Sequence, residues 1–316
     1  VDALGALLTG PRARGAFLLR SMFDPPWAIR IQDEAPLTVL TMVRGEGWIV
    51  PDHRPAVRLG PGDLAIVRGP DPYLVADDPA REPQVVIHPG QVSTDPAGGE
   101  LCAELHQGVR MWGERPDAEH VLISGTYQLP GEVSGRLLRT LPTVLLLTAG
   151  EWRSPLLPLL EAELRRDEPG QQVVLDRLLD LLLITALRTW LSRSASEAPA
   201  WYRAHGDPVV GPALTLLHSD PGRPWTVADL AAEVGASRAA LARRFTELVG
   251  EPPMAYLTGW RLALAADLLA EPDATLTTVA RHVGYGSAFA LSAAFKRVRG
   301  VSPAEHRALA GTDSGR

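Results

Sequence analysis

The chain contains one stretch of sequence twice, and nothing else in it restricts the fold as much. Leu241, Phe245, Gly250 and Pro253 recur fifty residues later as Leu291, Phe295, Gly300 and Pro303. Upstream, Leu230-Ala231 and Val234-Gly235 recur forty-nine residues later as Val279-Ala280 and Val283-Gly284. One residue inserted in the second turn accounts for the slip. Self-similarity at this period means one supersecondary unit built twice.

Each unit has the logic of a helix-turn-helix. Thr226 can cap a first helix over Val227–Val234, and Gly235 takes the tight turn. Ser237 then caps a second helix, Arg238–Leu248. The small Ala231 stands where two helices must approach closely. Leu241 and Phe245, four residues apart, bury one face, and the other carries Arg238, Ala239, Ala242 and Arg243. In the second copy Thr277 or Thr278 is expected to cap Val279–Val283, Gly284 turns, and Ser287 caps Ala288–Val298. There Leu291 and Phe295 point inward, and Ala288, Phe289, Ser292, Ala293 and Lys296 point outward. Glu251–Leu269 is a connecting helix opened by Pro252-Pro253. Two such units on one rigid helix can offer recognition helices to successive major-groove segments, about 34 Å apart. Cationic side chains then meet phosphates and outward polar ones meet base edges. A helical bundle without DNA is the competing reading for one copy alone. Two copies in register, each with a basic pair (Arg243-Arg244 and Lys296-Arg297), disfavour it.

The remainder reads differently. At 316 residues the chain has room for about two domains. Between residues 28 and 148, short apolar runs recur: Ala28–Ile31, Thr38–Val43, Gly47–Val50, Leu64–Val67, Gln84–Ile87 and His120–Ile123. Gly/Pro/Asp punctuation separates them, which suggests a sandwich or barrel. Pro155–Arg166 and Gln171–Leu191 read as Leu-rich helices around the breaker Asp167-Glu168-Pro169-Gly170. The second carries an apolar stripe from Val174 to Trp190, wide enough to face a core and still offer another contact. Ser192–Pro199 is a linker candidate. The expected architecture is therefore multidomain α+β: a β-barrel over 1–150, a helical dimerisation or linker segment over 151–207, and an all-α tandem helix-turn-helix domain over 208–316.

The net charge of −6 argues, taken alone, against a chain coated in nucleic acid. From Pro208 onward, however, eleven basic residues face ten acidic ones, so the acidity lies in the first two-thirds. A single cysteine, Cys102, excludes an internal disulfide framework and a Cys-rich zinc module. The densest apolar run, Val173–Ile184, is broken by Asp176, Arg177 and Asp180, so no membrane span is expected. Val1–Gly10 lacks a signal-peptide pattern, which points to a cytoplasmic protein, nucleoid-associated when bound to DNA.

Val283-Gly284-Tyr285-Gly286-Ser287, then Ala294-Phe295-Lys296-Arg297, Gly300-Val301-Ser302-Pro303 and Arg307, resemble the signature of the AraC/XylS family of bacterial transcription regulators. Trp260-Arg261-Leu262 with Ala266 and Leu268-Leu269 is similar to that family's linker helix. The resemblance covers residues 211–309. Residues 1–150 resemble the cupin-type sensor half of one subgroup, through Val1-Asp2-Ala3-Leu4, Pro61-Gly62-Asp63-Leu64, and Gly125-Thr126-Tyr127 leading to Leu137-Leu138 and Leu141-Pro142. The resemblance implies a regulator, by family habit an activator, that binds double-stranded promoter DNA and contacts RNA polymerase; the apolar stripe of Gln171–Leu191 suggests a homodimer, with burial wholly within one chain as the bland reading. It places the base-facing positions on Ala239, Ala242 and Arg243 in the first unit and on Ala288, Phe289, Ser292 and Ala293 in the second. Many members carry arginine where this chain has Ala293, so the first unit is expected to supply most base specificity. Ser237, Arg238, Arg244, Ser287, Lys296 and Arg297 complete the expected DNA contacts, the last three on phosphates.

Enzymatic chemistry finds little support. Metal-binding cupins need a histidine pair with a carboxylate and a further histidine; Gly47–His53 offers only His53, and the region of Pro72-Tyr73 offers none. No catalytic residues, metal or cofactor are therefore expected. A metal-dependent cupin enzyme whose helical half docks a partner is the alternative. Cys102, Glu104 and His106 alternate, and on one strand they would share a face. With His88 or His53 nearby they could form a redox-tuned thiolate or bind zinc; an ordinary strand is the bland reading. Trp27, Trp48, Trp112 and Trp152 could line a ligand cavity or pack a core. The candidate sensor set is thus Trp27, Trp48, His53, His88, Cys102, Glu104 and His106, for a small-molecule or redox effector.

Overall fold

The computed structural model describes residues 13, 16–101, 105–108, 110–128, 135–193, 200–269 and 273–311. The chain divides into two compact units. One holds residues 12–133 and 138–189; the other is built on residues 190–316.

The strands run β1 (Phe17–Phe23), β2 (Ala28–Ile31), β3 (Leu37–Arg44), β4 (Gly47–Pro51), β5 (Val57–Leu59), β6 (Leu64–Arg68), β7 (Tyr73–Ala76), β8 (Val85–His88), β9 (Val92–Thr94), β10 (His106–Gly108), β11 (Met111–Gly113), β12 (His120–Tyr127) and β13 (Val144–Leu147). They form a seven-stranded sheet, β10-β11-β1-β12-β3-β6-β13, and a six-stranded sheet, β5-β4-β7-β2-β8-β9. The helices are α1 (Gly135–Thr140), α2 (Leu156–Leu164) and α3 (Gln171–Arg193). All six runs expected as strands are strands. β1 carried no alternation to read, because Leu18, Arg20, Ser21 and Met22 are all buried.

The period-2 alternation of β12 explains how the larger sheet is used. Leu122, Ser124 and Thr126 line a cavity between the sheets. On the other face, a Cβ on Gly125 would lie 2.5 Å from the Leu179 side chain of α3, so glycine lets that helix rest on the sheet. Tyr127 Oη donates to Asp180 at 3.1 Å, and the backbone N–H groups of Ala13 and Ala16 donate to Asp180 and Asp176. The two aspartates that break the apolar run of α3 therefore face inward with partners. Leu175, Leu179, Leu182, Leu183, Ala186 and Leu187 are buried, whereas Val173, Val174 and Leu181 remain exposed.

The second unit is helical: α4 (Ala200–Arg203), α5 (Val210–Ser219), α6 (Val227–Glu233), α7 (Arg238–Val249), α8 (Pro253–Leu269), α9 (Leu276–His282), α10 (Ala288–Arg299) and α11 (Pro303–Gly311). α8 is a spine shared by two cores. Its Tyr256, Leu257 and Trp260 pack with Trp225, Leu230, Leu241 and Phe245. Its Leu262, Ala265, Ala266 and Leu269 pack with Val279, Ala280, Leu291 and Phe295. One expectation needs correction. The cap of α9 is Thr275, not Thr277 or Thr278; Thr278 is its capping-box partner at the third helical position. Thr275 is the forty-nine-residue counterpart of Thr226, which caps α6 in a box with Asp229.

Candidate nucleic-acid interface

The two units share their hidden chemistry. Ser237 Oγ accepts from the Ala240 N–H at 3.2 Å, and Ser287 Oγ accepts from the Ala290 N–H at 3.1 Å. Each hydroxyl keeps its own proton to donate to an anion at the helix start. Leu241, Phe245, Leu291 and Phe295 are fully buried. Gly250 and Gly300 end α7 and α10 in the left-handed conformation, at φ 91° and 79°. The turn glycine of the second unit is doubly constrained. Gly284 has φ +80°, and a Cβ there would lie 2.6 Å from the Gly222 carbonyl oxygen. Arg261 donates from Nε to the Pro221 carbonyl and from Nη2 to the Arg223 carbonyl, so its charge braces this junction.

The outward faces differ. On α7, Arg238, Ala239, Arg243 and Arg244 are exposed and Ala242 is half-buried. The Arg243 side chain is 77% exposed, and its Nε lies 3.8 Å from Glu247. A surface pair that loose holds the arginine weakly. Arg244 is engaged otherwise: its guanidinium reaches the Asp207 carboxylate at 2.7 Å. Burial alone would raise the Asp207 carboxyl, but hydrogen bonds from the Val210 and Val209 N–H groups and from Arg244 outweigh it and hold the group below the usual range. Arg244, expected on DNA, is thus tied into its own unit. On α10, Phe289, Ala293, Lys296 and Arg297 are exposed, and Ala288 and Ser292 are half-buried. Lys296 and Arg297 make no salt bridge with the described residues. Tyr285 is half-buried against the second core.

Two histidines of this unit, His218 and His306, serve the fold. His218 Nε2 lies 2.8 Å from Tyr256 Oη and packs against Trp260, and His306 Nε2 lies 3.3 Å from the Ala266 carbonyl oxygen.

The sheet unit contains a cavity of about 270 Å³. Of the expected sensor residues, His106 lines it, exposed at its edge. The other described members of that set, Trp27, Trp48, His53 and His88, do not line it. Trp27 is core and donates from Nε1 to His120 Nδ1 at 3.0 Å. Trp48 is half-buried on β4, on the opposite face from the buried Ile49. His53 is exposed in the turn after β4. His88 is satisfied by Gln32 and Thr94. Cys102 and Glu104 lie outside the described residues. Of the four tryptophans proposed for a cavity, Trp112 lines it, and Trp152 is buried away from it. Asp52, beside His53, is held by both terminal nitrogens of Arg30. Among the described residues no three His, Cys, Asp or Glu side chains gather as a metal site.

Sequence reasoning missed the rest of the lining. Walls of Leu19, Ile31, Leu40 and Val75 are interrupted by Thr38, Tyr73, Ser93, Ser124 and Thr126. Arg110 also lines the cavity, donates to Gln172 and to the Leu18 carbonyl, and has a buried Nε without a partner. Strand alternation was the signal for the strand positions among these, and it needed the pairing of nine strands to become visible; Arg110 lies in the turn between β10 and β11.

Residues 2–192 match the family model Cupin_6, described as cupin, and residues 230–308 match HTH_18, described as helix-turn-helix domain. A putative AraC-like transcription regulator of Streptomyces lividans is 32% identical over 315 residues, covering 97% of this chain and 98% of its own length. A putative AraC-like transcription regulator of Streptomyces antibioticus is 33% identical over 293 residues, covering 90% of this chain and 89% of its own. The RCS-specific HTH-type transcriptional activator RclR of Escherichia coli (strain K12) is 29% identical over 274 residues, covering 84% of this chain and 90% of its own.

Proposed function

The chain belongs to the AraC-like transcription regulators with an N-terminal cupin domain, and from that premise we propose that it is a promoter-binding activator whose cupin half, residues 1–150, senses a small molecule. Residues 208–316 carry the DNA contacts, and residues 151–207 pair two copies of the chain. One observation carries the reading. Two recognition helices, built on a shared spine with matching caps and buried pairs, expose Arg243 on one and Lys296 and Arg297 on the other.

Arg243, Ala239 and Ala242 meet bases in this account. Ser237, Arg238, Ser287, Lys296 and Arg297 meet phosphates, and Arg244 joins them only if it leaves Asp207. Ala288, Phe289 and Ser292 face the second groove segment. The cavity suits a small, largely apolar effector with an acceptor group for the hydroxyls or for Arg110 Nε. The exposed Val173, Val174 and Leu181 on α3 support pairing of two copies through that helix. Effector binding shifts the population between arrangements of the paired helices, and so the placement of the DNA-binding halves and their contact with RNA polymerase. A redox input would act through Cys102, and a Cys102→Ser chain with an unaltered oxidant response removes that route.

Selection of duplexes from a random pool by the full chain, followed by a salt series, tests the reading. Enrichment of one sequence, with affinity falling steeply as salt rises, is expected. Failure to retain any duplex contradicts it.

A further inference from the structure

Phe289 is the most exposed of the large hydrophobic residues described, at 83%. It is the second residue of α10, just past the Ser287 cap. At 3.6 residues per turn, Phe289, Ser292, Ala293 and Lys296 share one stripe. Leu291 and Phe295 lie on the opposite side and are fully buried. The ring therefore takes no part in the second core, and folding gives no reason for it.

Its counterpart fifty residues earlier is Ala239. The counterpart of Arg243 is Ala293. The two recognition helices thus exchange their large residue: the first puts a cation one turn into the helix, and the second puts an aromatic ring at its start. Arginine at such a position finds the acceptor pair of guanine. An aromatic ring finds no hydrogen bond in the major groove, but it can bury the one apolar group displayed there, the C5-methyl of thymine. The flanking Ala288 and Ala293 are small enough for the helix to approach closely, and Lys296, exposed on the same stripe and without a salt bridge to the described residues, can hold the backbone while the ring enters.

We propose that the second helix-turn-helix unit reads thymine C5-methyl groups through Phe289, so the operator has a hydrogen-bonded half under Arg243 and a methyl-read half under Phe289. The proposal rests on the DNA-binding reading above and adds the chemistry of its second half.

The test uses the full chain and the duplex that emerges from selection. The half under the first unit is the half where Arg243→Ala relaxes sequence choice. In the other half, each thymine is replaced singly by deoxyuridine, which removes the methyl and leaves base pairing intact. One or two positions are expected to lose affinity by roughly three- to fivefold, the size expected for one buried methyl group. Phe289→Ala should bind the unsubstituted duplex as weakly as the wild-type chain binds the uracil duplex, and should be indifferent to further uracil substitution. Phe289→Leu should recover part of the loss. The salt slope should stay unchanged, because no phosphate contact is removed. Uracil substitutions that are neutral throughout that half overturn the proposal. So does an equal uracil penalty in the wild-type and Phe289→Ala chains. A Phe289→Ala chain that binds DNA normally but fails to activate transcription also overturns it, and assigns the ring to a protein partner. A chain that selects no duplex sinks the regulator reading itself, which separates the two failures.

Discussion

The first helix-turn-helix unit and the second agree where they are hidden and differ where they are exposed. Both open their recognition helix on a capping serine, bury a Leu/Phe pair and close on a left-handed glycine. On the surface, Ala239 and Arg243 in the first stand against Phe289 and Ala293 in the second. The two copies of the scaffold thus share their packing, while each presents its own surface chemistry. Symmetry of the fold therefore does not imply symmetry of the site it reads.

The shared interior can be challenged first. Phe245→Ala and Phe295→Ala each delete a fully buried ring and should each cost about 3–5 kcal/mol, measured by denaturant unfolding. Near-equal losses support equivalent cores; a negligible loss for either would break the equivalence.

One half-buried carboxyl on α8, Asp267, has no acidic counterpart fifty residues earlier, where Leu217 stands. Burial raises the Asp267 carboxyl to about 7, against a small opposing effect of Arg299. The folded value lies above the unfolded one, so folding favours the neutral acid. Stability from this group is complete below about pH 4 and is lost as pH rises toward 7. Asp267→Asn should flatten that dependence and stabilise the chain at pH 8 by on the order of 2 kcal/mol. Melting curves between pH 4 and 8 that are parallel for the two chains would contradict the assignment.

The exposed difference gives smaller effects. Arg243→Ala should lose about 1–3 kcal/mol of binding and relax sequence choice in one half of the site only. An unchanged preference in binding-site selection would reject base reading by Arg243. Smallest are the caps: Ser237→Ala and Ser287→Ala should each cost about 1 kcal/mol of stability, alike in both units. A loss confined to one would show that the caps carry unequal loads.

The repeat made the second unit's interior legible, residue by residue. It also pointed to Thr275, which went unread because its capping box closes on Thr278 where the first unit has Asp229, so the acidic half of the usual pattern is missing. Arg244 looked free because its partner, Asp207, lies thirty-seven residues away in the connection before α5. In the sheet unit, strands with one apolar face announced themselves. β1 did not, since both its faces are covered and Arg20 and Ser21 are buried among its apolar residues. The cavity was the least legible feature. Most of its strands give it one to three residues at alternate positions, β1 and β11 give it consecutive ones, and no local motif marks them. His106 was found through its alternation with Cys102 and Glu104, whereas Arg110 and Tyr73 belong to it only once the strands are paired.

The central claim is that both units grip one duplex together, along one side. Hydroxyl-radical footprinting of the full chain on its selected duplex tests this most directly. The account predicts two protected segments about 10 base pairs apart on one face of the helix, with Arg243→Ala weakening one and Phe289→Ala the other. A single protected segment, unaffected by changes on α10, would contradict it.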